Sequence, residues 1–185
     1  MNVFVLCSGR CGSTTFIKAC SHLSNYTAAH ESRSSLLGAD RFRYPANHIE
    51  ADNRLSWLLG RLDKVYGNEA FYVHLQRDKS AVAQSFMRRY GFGIIKAYRG
   101  SGIIMGLDES SDPFRVCEDY CDTIESNITL FLRDKTQKMN FQLECWKQLF
   151  PVFCEKINAR GDVSTCMSEF EIRHNSSRGV WKRLI

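Results

Sequence analysis

The stretch VFVLCSGRCGSTTF, residues 3–16, decides how the chain is read. Residues 2–7 form a short apolar run rich in Val and Phe, the pattern of a buried parallel strand. Gly9 and Gly12 break it, and a helix is expected from about Ser13 to Leu23. A strand, a glycine-bearing turn and a helix start make an anion site. The first amides of a helix have no intrahelical acceptor, and the helix dipole places partial positive charge there. Gly9 and Gly12 allow close backbone approach. Ser13, Thr14 and Thr15 supply hydroxyls, and Arg10 a permanent charge suited to an oxyanion. The same residues also fit a plain turn with a Ser/Thr-capped helix. Two rival loops fail on spacing. An ATP or GTP loop needs G-x-x-x-x-G-K-[ST], but Gly9 is followed by Gly12 and no lysine follows. A phosphatase loop needs an arginine six residues after its cysteine. Ser13 follows Cys7 at that distance and Ile17 follows Cys11. Cys7 therefore reads as the buried end of the strand.

The 185 residues fit one domain able to bury a core. Twelve Phe, seven Tyr and three Trp argue against disorder. The net charge of +5 suits an anionic ligand, but there is no basic run of the kind that marks a nucleic-acid tail. No apolar run reaches the roughly 18 residues that span a membrane, and no signal peptide is read at the N-terminus. A cytoplasmic protein with neither nucleic-acid nor membrane partner is expected. The sequons at Asn25, Asn127 and Asn175 are then chance matches. The eight cysteines read as buried thiols, and no CxxC pair or histidine cluster suggests a metal.

Further along, residues 25–29 read as a second strand, and 30–50 as an irregular segment of the kind that carries active-site residues. A helix is expected over 51–66, with Leu55, Leu58, Leu59, Leu62 and Val65 at helical spacing and Gly67 at its end. AFYVHL, residues 70–75, is the next strand, and Asp78 caps the helix that follows. The glycine-rich segment 91–112 is expected to be a loop over the site. Pro113 opens a long helix to about Leu132, and a second covers 140–159 with a kink at Pro151. Strands alternating with helices imply an α/β fold with a mainly parallel sheet.

A second motif lies in VHLQRDKSAVAQSF, where Arg77 ends a strand and Ser85 sits two turns into the following helix. Taken together, CSGRCGSTTF and RDKSAVAQSF resemble the sulfotransferases that use 3′-phosphoadenosine 5′-phosphosulfate (PAPS). The resemblance is strongest over residues 2–90. It implies a three-layer sulfotransferase domain over 1–185, related to the phosphate-binding-loop NTPases, with a motif-bearing core at 1–90 and a helical part at 113–185. It also implies that Ser8, Gly9, Arg10, Cys11, Gly12, Ser13, Thr14 and Thr15 hold the 5′-phosphosulfate, while Arg77 and Ser85 hold the 3′-phosphate. SSRGVWKR near the end resembles the family's C-terminal phosphate-binding segment, which would add Arg178 and Gly179. Arg10 stands where the animal cytosolic branch has lysine, as in many bacterial and Golgi-type members.

The implied reaction is in-line transfer of a sulfuryl group from PAPS to a hydroxyl or amine on a small-molecule or carbohydrate acceptor, with no metal. Positioning and charge stabilisation carry such a reaction. Arg10 is expected to balance charge on the leaving group. The base is expected near the loop, where the family places a Glu or His. Glu31 is the first choice, with His48 and Glu50 as alternatives, and His30 is expected to point away from Glu31 along an extended chain. Asp52, Asn53, Arg54 and Trp57 are candidates for an acceptor pocket, and Lys96, Tyr98 and Arg99 for a covering loop. Two other readings remain: a kinase of the phosphate-binding-loop superfamily, or a nucleotide-binding module without catalysis. The acceptor and the oligomeric state are not encoded in any readable pattern.

Overall fold

The computed structural model describes residues 1–172 and 174. Five strands pair in parallel: β1 (Val3–Leu6), β2 (Thr27–His30), β3 (His48–Ala51), β4 (Phe71–Gln76) and β5 (Lys138–Gln142). Their order across the sheet is β2-β3-β1-β4-β5. Parallel pairing requires crossovers, and helices provide them. α1 (Ser13–Cys20) joins β1 to β2, α2 (Leu59–Tyr66) leads into β4, and α3 (Lys79–Met87), α4 (Gly93–Ala97) and α5 (Pro113–Leu132) precede β5. α6 (Trp146–Lys156) and α7 (Val163–Ser168) follow it.

Strand alternation sends Phe71 and Tyr72 to opposite faces of the sheet, and each meets its own aromatic cluster. On one face Phe16 of α1 packs on Phe141, Phe150 and Phe153, and Phe153 also meets Phe71. On the other, Phe4 packs on Tyr44, Tyr66 and Tyr72, and Tyr72 meets Phe131 of α5. Burying one such phenylalanine contributes about 1.5–3 kcal/mol. The result is an α/β three-layer fold with helices on both faces, as the alternating pattern implies. No helix among the described residues is long and apolar enough to cross a membrane.

Two strands differ from the sequence expectation. Residues 48–51 are β3, next to the central strand, and not the end of an irregular segment. The helix expected over 51–66 therefore begins later. Asp52 leaves the strand, its side chain accepts the Arg54 amide, and a 3-10 turn over Asn53–Trp57 precedes α2. Residues 138–142 are β5, with Met139 and Phe141 buried and Lys138 and Asn140 exposed, so the helix expected from residue 140 starts at Trp146. The part from residue 113 onward is thus not wholly helical. The segment 91–112 is also more structured than a plain loop. It contains α4 and a π-turn over Tyr98–Gly102, anchored by buried Tyr98, whose hydroxyl donates to Asp119 at 2.5 Å.

Candidate active site

Every strand delivers a residue to one open cleft of about 1280 Å³ at the carboxyl ends of the sheet. β1 leads to Gly9, Arg10 and the start of α1. β2 gives His30 and Glu31, and β3 leads to Asn53 and Arg54. β4 leads to Arg77, and β5 to Leu143. The chain runs from β1 to β2 on one side of the sheet and crosses to β4 on the other, and such a reversal opens a crevice at the strand ends.

The loop after β1 is held from beneath by its carbonyls. Ser56 Oγ donates to the Cys7 carbonyl at 3.2 Å, the Tyr120 hydroxyl to that of Ser8 at 2.7 Å, and Arg77 Nη1 to that of Arg10 at 3.2 Å. The turn uses left-handed backbone at Gly9 (φ 88°), Arg10 (φ 60°) and Gly12 (φ 90°). A Cβ on Gly9 would lie 2.7 Å from Asn53 Nδ2, so that position has neither the torsion nor the space for a side chain. No side chain caps α1. The first-turn amides of Ser13, Thr14 and Thr15 therefore have no helical acceptor and stand at the positive end of the dipole.

The two sequence motifs meet here. Arg10 Nε donates to Ser85 Oγ at 3.0 Å across 75 positions of chain. Arg77, Arg88 and Arg89 complete a cationic wall. The Arg10 guanidinium is pushed below its ordinary value, first by burial and then by repulsion from Arg89, Arg88 and Arg77. Arg89 Nε is buried without a hydrogen-bond partner among the described residues. A bound anion would relieve both conditions. Opposite, Trp146 stacks on Phe170 with centroids 5.1 Å apart, giving the cleft an apolar flank.

His30 and Glu31 both line the cleft, against the expectation that they diverge. The alternation stops because Glu31 is not extended (φ 52°). His30 Nε2 lies 2.9 Å from Ser13 Oγ, and the Glu31 carboxylate pairs with the Arg54 guanidinium, Oε2 to Nη1, at 2.9 Å.

Gly9, Arg10, Gly12, Ser13, Thr14, Thr15, Arg77 and Ser85 line the cleft, whereas Ser8 and Cys11 of the same loop are buried and do not line it. His48 and Glu50 do not line the cleft. Both are buried in β3, one residue apart on the same face. Of the acceptor-pocket candidates, Asn53 and Arg54 reach the cleft. Asp52 is buried against Arg41, and Trp57 packs on Tyr98 and Tyr120. Lys96, Tyr98 and Arg99 are not at the cleft: Arg99 stacks on Tyr90 at 4.0 Å, while Phe92, Gly93 and Ile94 of that segment do face it. Arg178 and Gly179 lie outside the described residues. Arg88 and Arg89 were missed in the sequence. They stand three and four positions after Ser85, which places them beside it at the end of α3, and that spacing was the available signal.

The chain is similar in structure to the sulfotransferase domain from the curacin biosynthetic pathway. The TM-score is 0.62 at 15% identity, over 86% of this chain and 74% of that one. The likeness establishes that the two chains share a fold. No protein-family model and no curated protein matches the chain.

Proposed function

We propose that the chain is a PAPS-dependent sulfotransferase acting on a hydroxyl or amine acceptor. The observation that carries this reading is the bond between Arg10 Nε and Ser85 Oγ, with Arg77 on the Arg10 carbonyl. It brings the two motifs into contact, which supports reading them as one anion site. The residues fit a ligand with two separate anionic groups. Open α1 amides and the loop glycines suit one group, and Arg77, Ser85 and the unpartnered Nε of Arg89 suit the other.

In this reading Ser8 through Thr15 hold the phosphosulfate end, and Arg77 with Ser85 holds the 3′-phosphate. When bound, PAPS supplies an activated sulfuryl group and a nucleotide phosphate to leave from it. The protein supplies position and charge. Arg10 and the α1 amides face the negative charge that builds as the bond breaks, in a wall already too positive on its own. Glu31, fixed by Arg54 at the cleft surface, takes the proton of the acceptor hydroxyl or amine. His30 is held on Ser13 and lines the same end of the cleft.

The test is thermal stabilisation by adenosine 3′,5′-bisphosphate against ATP with Mg²⁺. At about 100 times its dissociation constant a ligand adds about 2.7 kcal/mol, a rise of roughly 5–10 °C for this size. The expected result is a rise with the bisphosphate that disappears in Arg77→Ala. A rise with ATP alone would overturn the proposal in favour of a kinase.

A further inference from the structure

Strand alternation places His48 and Glu50 on one face of β3, and both are buried. A carboxylate in such a place requires donors, and Glu50 has three. Oε1 accepts the Ser32 amide at 2.7 Å. Oε2 accepts the Ser32 hydroxyl at 2.6 Å and meets His48 Nε2 at 3.0 Å. Because Oε2 can only accept from the ring, His48 carries its proton on Nε2. Its Nδ1 is then open to the Thr27 hydroxyl, 2.8 Å away. The Tyr44 ring stacks on His48, fixing the plane of the imidazole.

We propose that Glu50 and His48 are positioning residues for Glu31, acting through Ser32; this rests on Glu31 being the base. Glu31 occupies the left-handed region at φ 52°, a conformation that a non-glycine residue keeps only when its surroundings over-determine it. Those surroundings are three backbone anchors. The Glu31 amide donates to the Ala51 carbonyl at 3.0 Å, the Glu31 carbonyl accepts the Ser34 amide at 3.3 Å, and the next amide, that of Ser32, is held by Glu50. Without the Glu50 anchor the peptide that follows residue 31 is released, and the remaining bonds, to Ala51 and from Ser34, resist its relaxation toward an extended chain less well. That relaxation would swing the Glu31 carboxylate away from Arg54 and out of line with the acceptor. The two residues first read as alternative bases thus set where the base stands.

The test compares Glu50→Ala and Glu50→Gln with Glu31→Ala in the full chain. The first readout needs no catalysis. Amide exchange at Ser32 should quicken by about tenfold or more in Glu50→Ala and stay nearer the parent in Glu50→Gln, whose amide oxygen still accepts. Exchange along β4 and β5 should be unchanged, showing that the sheet is intact. The second readout is transfer from labelled PAPS to a panel of hydroxyl and amine acceptors. Turnover in Glu50→Ala should fall by about 10-fold to 100-fold, as expected for a base displaced by about 1 Å. Bisphosphate affinity should stay within about twofold. If Glu50→Ala does not fold, Glu50→Gln, which weakens the acceptor of the Ser32 amide, carries both readouts, with a loss of about 3-fold to 10-fold. Unaltered Ser32 exchange in Glu50→Ala overturns the inference. So does turnover close to the parent's when Glu31→Ala is inactive. Full turnover in Glu31→Ala instead overturns the base assignment, and this inference with it.

Discussion

The cleft and the polar layer between β3 and residues 31–47 both concentrate charge, yet they handle it in opposite ways. In the layer, Arg41 is paired with Asp52, and its Nη1 donates to the Tyr44 hydroxyl at 3.2 Å. Glu50 is satisfied by Ser32 and His48. In the cleft, Arg10, Arg77, Arg88 and Arg89 crowd one another. Among the described residues its acids are Glu31, already on Arg54, and Glu171. Balanced charge fixes geometry inside the fold. Unbalanced charge at the surface is a standing preference for an anion.

Breaking the balanced side should have the largest effect. Asp52→Ala leaves Arg41 buried at 3% exposure without its countercharge. A loss of about 3–5 kcal/mol is expected, seen as a fall of roughly 6–20 °C in a thermal melt. A loss under about 1 kcal/mol would mean that the layer does not depend on charge balance. The unbalanced side should respond the other way. Arg88→Ala should leave stability within about 0.5 kcal/mol. Calorimetry should show it weakening binding of adenosine 3′,5′-bisphosphate by about 3-fold to 10-fold, and less so at high salt. Equal affinity in both proteins would remove Arg88 from the anion site.

The smallest effect lies on the other flank of the sheet. Burial pushes the Glu125 carboxyl up, but His74 and a bond from Gln76 outweigh it and hold it below its ordinary value. His74 Nε2 lies 2.8 Å from Glu125 Oε2, close enough to pair charge but not aligned as a hydrogen bond. A carboxyl whose folded value is depressed contributes stability above its unfolded value, about 4.3. That contribution is lost as pH falls through the folded value. Urea melts of Glu125→Gln should therefore show a shallower loss of stability than the parent below about pH 4.5. Parallel pH profiles would show that the pair contributes nothing.

The same contrast explains what the sequence made readable. The loop after β1 was legible because its signals are local: an apolar run, two glycines and a cluster of hydroxyls within 14 residues. Asp78 was equally plain, and it does accept the Ala81 amide at 2.8 Å. β3 was hidden because His48 and Glu50 look like solvated polar residues. Thr27 and Ser32, in and just after the neighbouring strand, together with the contact between His48 and Glu50 themselves, satisfy the pair once buried. β5 was hidden by Lys138 and Asn140 on its exposed face, which break up an apolar run that pattern reading would need. The meeting of Arg10 with Ser85 is a product of topology and has no local signature. The divergence expected of His30 and Glu31 failed on a single torsion.

The position of β1 in the sheet also bears on how the chain reaches this state. Val3 pairs with Ile49 on one side and Phe71 on the other. The earliest strand is therefore central, and its neighbours lie far along the chain. Closing such long loops is slow, and the strand meanwhile keeps two unpaired edges and an apolar surface. During synthesis one edge of Val3–Leu6 must wait for β3 and the other until β4 has been made, and β4 in turn waits for β5. The segment that founds the proposed anion site is thus the one most open to mispairing before the sheet closes. Yield of folded protein should depend on dilution and temperature during refolding more than on the final stability of the sheet.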